Sequence, residues 1–335
     1  MSKRLGKQTV ALTSFPSINT FASIVGDKEG QGPLGLDFDA VEKDPYFGEE
    51  TWEKAESRLY ERGLALTLSK ALLTPDKVNY ILAGDLLNQC ISSTFGIRSS
   101  HIPFYGIYAA CSTMSEGLSI ASMLTDGGFS DNSVVLAGSH FCSSEKQFRF
   151  PLDYGGQRTP TAQWTVTGIG GVVVGFGSPI KITHVTTGKI EDYGITDSNN
   201  MGAAMAPAFV STLTTHLEDT GRSHDYYDLI ISGDLGIVGK AIAEDLLKEK
   251  GIDVCNHYDD CGVLIFDGNT QDTHAGGSGC GCSASVLCGH FLPKMIKGEL
   301  KKVLFIATGA LMSPTSVQQG ESIPSIAHAV ALEVM

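Results

Sequence analysis

The segment at residues 104–125, F-Y-G-I-Y-A-A-C-S-T-M-S-E-G-L-S-I-A-S-M-L-T, decides the fold class of this chain. Its opening apolar run is typical of a buried strand, and the small residues that follow predict a turn at Cys111. Beyond the turn, apolar residues recur at three-to-four spacing, which predicts an amphipathic helix that ends at Gly127. At such a junction the free amides and the positive dipole end of the helix favour a thiolate on Cys111. The alternative interpretation is a small cysteine buried in a turn.

Composition and charge exclude several classes of function. The 335 residues are 42% hydrophobic and 18% charged, which predicts a large two-part fold or two domains. A net charge of −13 without a Lys/Arg cluster argues against nucleic-acid binding, which requires basic surfaces. The polar N-terminus predicts no signal peptide. No apolar run reaches about 18 residues, so no membrane span is predicted either. Eight cysteines without a secretion signal fit a reducing cytosol better than a disulfide framework.

The chain contains an internal duplication. The second half repeats, in order, three features of the first: I-L-A-G-D-L (81–86) as I-I-S-G-D-L (230–235), Cys111-Ser112 as Cys282-Ser283, and Ala137-Gly138 as Thr308-Gly309. Repeated βαβ units predict an α/β fold whose mostly parallel sheets are covered by helices. We therefore divide the chain into an N-terminal half at 1–177 and a C-terminal half at 178–335. Residues 139–165 read as an irregular excursion, too long for a simple connection.

A duplicated α/β chain with a junction cysteine in its first half resembles the thiolase/ketoacyl-synthase superfamily. Three segments carry the resemblance: A-A-C-S-T-M-S-E-G-L (109–118) at the nucleophile position, G-G-S-G-C-G-C-S-A-S (276–285) at the second-half glycine-rich motif, and A-T-G-A-L-M-S-P (307–314) at the oxyanion turn. The resemblance implies a thiolase-like fold, in which two βαβ-rich halves form a layered α-β-α-β-α architecture.

Further segments resemble the stage V sporulation protein AD family of spore-forming bacteria. They are G-D-L-L-N-Q (84–89), S-E-K-Q-F-R-F-P (144–151), M-G-A-A-M-A-P (201–207), H-Y-D-D-C-G (257–262) and I-P-S-I-A-H (323–328). The resemblance implies a role in moving dipicolinic acid into the developing spore, together with other membrane proteins of the stage V sporulation A operon. It also implies peripheral association with the cytoplasmic side of the forespore or spore inner membrane.

The chain departs from the superfamily at its catalytic positions. Condensing enzymes need a cysteine nucleophile, a His or Asn pair that binds the thioester oxygen, and oxyanion amides. Cys111 is kept and Gly309 can supply an amide, but the His/Asn positions fall on Asp234 and near Ser278. An aspartate there would repel an oxyanion by about 1–4 kcal/mol at roughly 4 Å, depending on screening. We therefore expect a protein that is not an enzyme.

Dipicolinate is a planar pyridine with two carboxylates, so its pocket needs donors, cations and a flat wall. Arg149 can grip a carboxylate bidentately, although a surface ion pair is the alternative. Gln147 can donate hydrogen bonds, Tyr154 can stack, and amides at the Cys111 helix and Gly309 can complete the site. Four carboxylates could instead hold the calcium of a chelate, or cap helices: Asp85, Asp234, Asp259 and Asp260.

The histidines and the remaining cysteines give weaker signals. His140, His257 and His328 are candidate ligand residues or atypical bases, and the alternative for each is a core or turn histidine. A Cys/His cluster invites a zinc interpretation (Cys255, His257, Cys261, Cys280, Cys282), but its spacing matches no standard finger or ribbon, and small buried thiols are simpler. We predict no metal site and no cofactor, with Ca²⁺ present only within a dipicolinate chelate.

Three hypotheses remain open at the level of sequence. The first is a non-catalytic binding protein for dipicolinate or its calcium chelate. The second is a Cys111-dependent acyltransferase or condensing enzyme, and the third is a scaffold of a membrane complex with a vestigial pocket. The superfamily resemblance also implies a homodimer, which we place at the strand after the nucleophile helix, Ser133–Ala137.

Overall fold

The computed structural model describes residues 3–148 and 157–335. The strands are β1 (Arg4–Leu5), β2 (Thr9–Ala11), β3 (Ser17–Gly26), β4 (Ala40–Glu42), β5 (Tyr80–Gly84), β6 (Phe104–Gly106), β7 (Ser133–Ser139), β8 (Trp164–Thr165), β9 (Gly168–Gly175), β10 (Ile180–Thr186), β11 (Leu229–Ser232), β12 (Tyr258–Asp260), β13 (Gly277–Ser278), β14 (Lys302–Ala310) and β15 (Ser325–Val334). The helices are α1 (Asp27–Gly30), α2 (Trp52–Ala71), α3 (Ile91–Ile97), α4 (Thr113–Asp126), α5 (Phe141–Phe148), α6 (Met201–Thr220), α7 (Gly236–Glu249), α8 (Cys261–Leu264), α9 (Cys280–Val286), α10 (Leu292–Ile296) and α11 (Pro314–Gln318). Within these ranges no helix combines the length and apolar character needed to cross a bilayer.

The main sheet consists of two halves with the same strand order. The first half runs β6-β5-β7-β9-β3 and the second runs β12-β11-β14-β15-β10. In each half the first three strands are parallel, and the last two join by antiparallel pairing. The halves meet where Ser17 of β3 pairs with Lys181 of β10. The repeated order is the topology expected of a duplicated unit, and the connection between β9 and β10 spans the 177/178 division.

Helices cover both sheet halves and fill the space between them. Helix α4 packs against β7 and β9 of the first half and against β14 and β15 of the second, and α9 lies beside it. Helix α9 is buried along its whole length, which explains its small residues. On the outer faces, α2 packs on the first half and α6 on the second. The result is the predicted α/β, layered α-β-α-β-α architecture, with Cys111 placed at the start of the central layer. The sheet is mixed rather than mostly parallel as predicted, because the last two strands of each half pair antiparallel.

The segment predicted as an irregular excursion begins with a helix instead. Helix α5 starts directly after β7, and its inward face carries Ser143, Ser144 and Glu145 rather than apolar residues. Ser143 donates to the buried carboxylate of Glu56, so polar contacts hold this helix in place. Because its buried face is polar, hydrophobic periodicity could not reveal it. Farther along, β8 pairs with β13 of the other half.

The prediction that a dimer forms through the strand at Ser133–Ala137 is wrong. Strand β7, which contains Ser133–Ala137, lies between β5 and β9 and pairs with both. Both sides of its backbone are therefore used within the chain, and no partner can add to it. The outer strands of the two halves are β6 and β12.

Candidate ligand site at the Cys111 turn

Cys111 lies in a tight turn between β6 and α4. The turn is a 3-10 helix, Ala110–Ser112, which Ala110 enters with a φ of 47°. Strand β14 packs closely against it, because a β-carbon at Gly309 would stand 2.3 Å from the carbonyl oxygen of Ala109. Only glycine permits that approach. The structure thus brings Cys111 and Gly309 together, as the sequence predicts, and leaves Cys111 5% exposed.

A buried carboxylate occupies the space beside the thiol. Asp234 follows β11 and accepts hydrogen bonds from the Ser278 hydroxyl (2.9 Å) and the Gly279 amide (3.0 Å) on one oxygen. Its other oxygen accepts from the Thr308 hydroxyl at 2.8 Å. The Ser278 oxygen is 4.0 Å from Cys111 Sγ. Four elements therefore meet around the thiol: the Cys111 turn, the end of β11, β13 and β14.

Burial decides the protonation of this group of side chains. Desolvation raises the pKa of Asp234 to about 7, although its hydrogen bonds act in the opposite direction. Desolvation also raises the pKa of the Cys111 thiol well above its usual value, and the negative charge of Asp234 raises it further. The prediction of a thiolate at Cys111 is therefore wrong, because burial and a neighbouring carboxylate outweigh the helix dipole.

The two aspartates that follow the repeated strands have different roles. Asp85 accepts from the amides of Leu87 (2.9 Å) and Ser93 (2.7 Å), so its predicted alternative role as a helix cap is confirmed. Asp234 does not cap the next helix. Asp260 does so in its place, accepting from the amides at the start of α7 and of α8. These carboxylate oxygens are engaged within the protein, which removes the reason to assign calcium to them.

The three candidate histidines make their contacts away from Cys111. The Nε2 atom of His140 lies 2.7 Å from the carbonyl oxygen of Pro45. His328 lies on β15 opposite Ala307 of β14. Its Nδ1 atom accepts from the Gly188 amide at 3.2 Å, and burial lowers the pKa of His328 to about 4. His257 lies 3.0 Å from Asp225 near the surface. Their sequence neighbourhoods could not reveal these partners, since each contact joins distant segments.

A cleft of about 430 Å³ lies near the carboxyl ends of β5, β7 and β14. Its described lining includes Asn88, Lys146, Gln147, Met312, Pro314, Val317 and Gln318. Met312 and Pro314 follow β14, a few residues beyond Gly309. Gln147 therefore lies at the cleft, whereas Arg149 and Tyr154 lie outside the described residues. Sequence reasoning missed Lys146, although it stands next to Gln147 in the S-E-K-Q segment.

The cysteines of the zinc interpretation are buried thiols or lie apart. Cys280 and Cys282 are buried and donate to the carbonyl oxygens of Gly138 and Gly233. Cys261 is also buried, whereas Cys255 is exposed. Within residues 3–148 and 157–335, the one group with metal-ligand geometry contains none of these cysteines. The simpler interpretation of buried thiols agrees with these positions.

These features define a thiolase-like α/β protein with a buried cysteine at the join of its two halves. Solved structures share this fold. The 3-oxoacyl-[acyl-carrier-protein] synthase III of Aquifex aeolicus VF5 aligns with a TM-score of 0.57 at 15% identity, over 95% of this chain and 99% of that chain. A variant of OleA from Xanthomonas campestris aligns with a TM-score of 0.58 at 14% identity, over 99% of this chain and 100% of that chain. At these identities the likeness establishes the fold alone.

The chain belongs to the stage V sporulation protein AD family. The model of that family, Stage V sporulation protein AD, matches residues 6–333. A protein of Bacillus subtilis (strain 168) named Stage V sporulation protein AD is 45% identical over 332 residues, which cover 99% of this chain and 98% of that relative. The sequence relative has a sporulation name, whereas the solved structures that share the fold include a 3-oxoacyl-[acyl-carrier-protein] synthase III.

Proposed function

We propose that this protein binds dipicolinic acid, or its calcium chelate, for uptake into the developing spore, and that it is not an enzyme. The observation that carries the proposal is the Asp234 carboxylate beside the Cys111 thiol. By the superfamily resemblance, it falls at the position where a condensing enzyme would need an imidazole or amide. Membership of a sporulation protein family supports the biological setting.

The surroundings of Cys111 disfavour condensing chemistry on electrostatic grounds. A nucleophilic cysteine must ionise, yet burial and Asp234 both raise the pKa of the Cys111 thiol. An ionised Asp234 would also repel the oxyanion that forms on a thioester carbonyl. Among the described residues, the polar groups around the carboxylate are the Ser278 and Thr308 hydroxyls and the Gly279 amide. These hydrogen bonds stabilise the Asp234 carboxyl group itself and not the oxyanion of a condensing reaction.

The cleft suits a small dicarboxylate. Its volume of about 430 Å³ is within the range of small-molecule sites, about 300–1,000 Å³. Lys146, which is ion-paired with Glu53, brings an ammonium group to the cleft, while the amides of Asn88 and Gln147 supply donors. Met312 and Pro314 provide an apolar wall for a flat ring. Local positive charge matters because a chain of net charge −13 otherwise repels a dianion.

Two further residues and a cellular setting complete the proposal. Arg149 and Tyr154 follow Gln147 in sequence, and we assign them a carboxylate contact and a ring contact. The protein would act at the cytoplasmic face of the forespore inner membrane with other proteins of the stage V sporulation A operon. If it served only as a scaffold there, it would bind those partners and leave dipicolinate unbound.

Isothermal titration of the purified chain with dipicolinate, with and without Ca²⁺, tests this function. We expect saturable binding that weakens at least about tenfold in Arg149→Ala and in Lys146→Ala, since a charged hydrogen bond contributes about 1.5–3 kcal/mol. Lys297→Ala, an exposed lysine beyond the cleft lining, is the matched control and should bind as the wild type does. No binding in either condition would contradict the proposal.

One observation favours a second candidate function, acyl transfer through Cys111. With a pKa of about 7, Asp234 is poised to accept a proton near neutral pH, and its partner Ser278 lies 4.0 Å from the thiol. Incubation with acetyl- or malonyl-thioesters followed by intact-mass measurement distinguishes the two functions. A stoichiometric adduct that disappears in Cys111→Ala would establish the transferase, whereas an unchanged mass agrees with the binding protein.

A further inference from the structure

Three ligand-type side chains cluster at the outer edge of the second sheet half, apart from the site already described. His224 and Asp225 belong to the short turn between α6 and β11, and His257 directly precedes β12. Their ligand atoms all lie within 4.8 Å of one another. Strands β11 and β12 are parallel, and Asp234 follows the opposite end of β11. The cluster therefore lies at the amino ends of β11 and β12, opposite the strand ends that carry Asp234.

The distances within the cluster match those of a metal site. Asp225 Oδ1 is 3.0 Å from His224 Nδ1 and 3.0 Å from His257 Nε2. Two ligand atoms that share one Zn²⁺ at about 2.0–2.1 Å are themselves roughly 2.9–3.4 Å apart. The Nδ1 atom of His224 is shielded from solvent, and its contact with Asp225 Oδ1 lacks hydrogen-bond geometry in the described part of the chain. A shielded ring nitrogen beside a carboxylate oxygen, with no hydrogen bond between them, is a donor pair available to a cation.

Hydrogen bonds fix the backbone of the two histidines before any cation binds. The carbonyl oxygen of His224 accepts from the Tyr227 amide at 3.2 Å, which closes the turn. His257 donates to Val254 at 3.0 Å, and its carbonyl accepts from Ile230 of β11 at 2.7 Å. The two imidazole rings stack with their centroids 5.8 Å apart. Little ordering is left to be done on binding, which favours affinity.

The donor set selects the class of cation. Two imidazole nitrogens and one carboxylate oxygen suit Zn²⁺, whereas Ca²⁺ and Mg²⁺ prefer oxygen ligands. The Asp225 side chain is 66% exposed, so water can fill the remaining coordination positions. Asp253 is close enough to His224 for their charges to interact and adds negative potential.

We propose that His224, Asp225 and His257 form a Zn²⁺ site that ties the turn before β11 to the loop before β12. The two histidines are 33 residues apart in the chain and match no ligand motif, so sequence spacing does not predict this site. The site stabilises the outer edge of the second sheet half, and it does not depend on dipicolinate binding.

Titration of the metal-free, reduced full-length chain with Zn²⁺ against a chromophoric chelator tests the proposal. We expect one Zn²⁺ equivalent whose affinity falls at least about tenfold in His224→Ala and in His257→Ala. His274→Ala is the matched control, since its ring is also 24% exposed and lies 3.6 Å from Asp272. This control should bind Zn²⁺ as the wild type does.

A thermal melt and a thiol variant make the outcome decisive. Zn²⁺ should raise the Tm of the wild type and of Cys255→Ser but not that of His257→Ala, because only the intact site binds the folded state. The same concentration of Ca²⁺ should leave the wild-type Tm unchanged. Zn²⁺ affinity that survives both histidine substitutions, or that is lost only in Cys255→Ser, would overturn the proposal.

Discussion

At the scale of single residues, the Cys111 turn shows how burial overrides a local motif. The turn places the thiol beside the first amides of α4, where the dipole would lower its pKa. Burial and the Asp234 carboxylate raise it instead. The sequence could indicate Cys111, Gly309, Asp234 and Ser278, because each lies in a conspicuous segment of the duplicated halves. It could not indicate their protonation, which depends on how far the fold removes them from water.

Asp234→Asn should change how stability depends on pH. The folded-state pKa of Asp234 is about 7 while the unfolded value is near 3.8, so the wild type loses stability as pH rises through this range. Asparagine cannot titrate, and its amide oxygen can still accept from the Gly279 amide while its nitrogen donates to Thr308. The variant should therefore gain on the order of 2–4 kcal/mol relative to wild type between pH 4.5 and pH 8.

Denaturant unfolding of both proteins at the two pH values measures this difference. Asp272→Asn is the control, because the Asp272 side chain is 90% exposed, and its difference from wild type should not vary with pH. An Asp234→Asn difference that is equal at both pH values would show that the carboxyl group does not titrate as stated.

At the scale of elements, prediction from sequence worked where one apolar face meets the core. Helices α2 and α7 and strands β5 and β11 lie close to the segments where the apolar pattern predicts them, which are Trp52–Leu72, Val238–Lys250, Tyr80–Ala83 and Asp228–Ser232. Strand β3 is not predicted from the sequence because Asn19 and Thr20 interrupt its apolar run. Strand β15 is not predicted either, because no turn signal follows it. Helix α6 begins eight residues before its predicted start near Phe209, since its small residues and Pro207 hide the period. Helix α5 is not predicted because its buried face is polar and so shows no apolar period.

The Asp85 cap gives a prediction at this scale. Asp85→Ala removes two hydrogen bonds from a carboxylate to the amides of Leu87 and Ser93 at the start of α3. We expect a loss of about 1–3 kcal/mol in the free energy of unfolding, measured in urea. Asp76→Ala, which changes an aspartate that is 70% exposed in the first turn of another short helix, should leave the free energy of unfolding close to that of wild type. Equal stability of Asp85→Ala and wild type would contradict the capping role.

At the scale of the whole molecule, the duplicated sheet leaves β6 as the outer strand of the first half. Ile81 donates to Pro103 and Ile107 donates to Ala83, so the odd-numbered residues of this segment face β5. The amides of Phe104 and Gly106 therefore face outward. The exposed tyrosines Tyr105 and Tyr108 lie on the same segment. An open edge with exposed aromatic residues suits pairing with a second copy.

We expect a two-fold dimer through β6, at twice the chain mass of 35.5 kDa, in equilibrium sedimentation at micromolar concentration. Tyr105→Asp places a charge at this edge and should shift the protein toward the monomer. Phe129→Asp changes another exposed aromatic residue, 70% exposed at the end of α4, and should remain a dimer. A wild-type monomer would remove this assembly.

The most direct test of the account compares dipicolinate affinity across substitutions at Cys111 by isothermal titration. If bound dipicolinate lies against the Cys111 turn without thiol chemistry, Cys111→Ala should bind within about threefold of wild type. Cys111→Leu, whose larger side chain would intrude on that ligand, should bind at least about tenfold more weakly, with its fold checked by circular dichroism. Equal affinity in all three proteins would place the ligand elsewhere, and loss of binding in Cys111→Ala would show that the thiol itself is required.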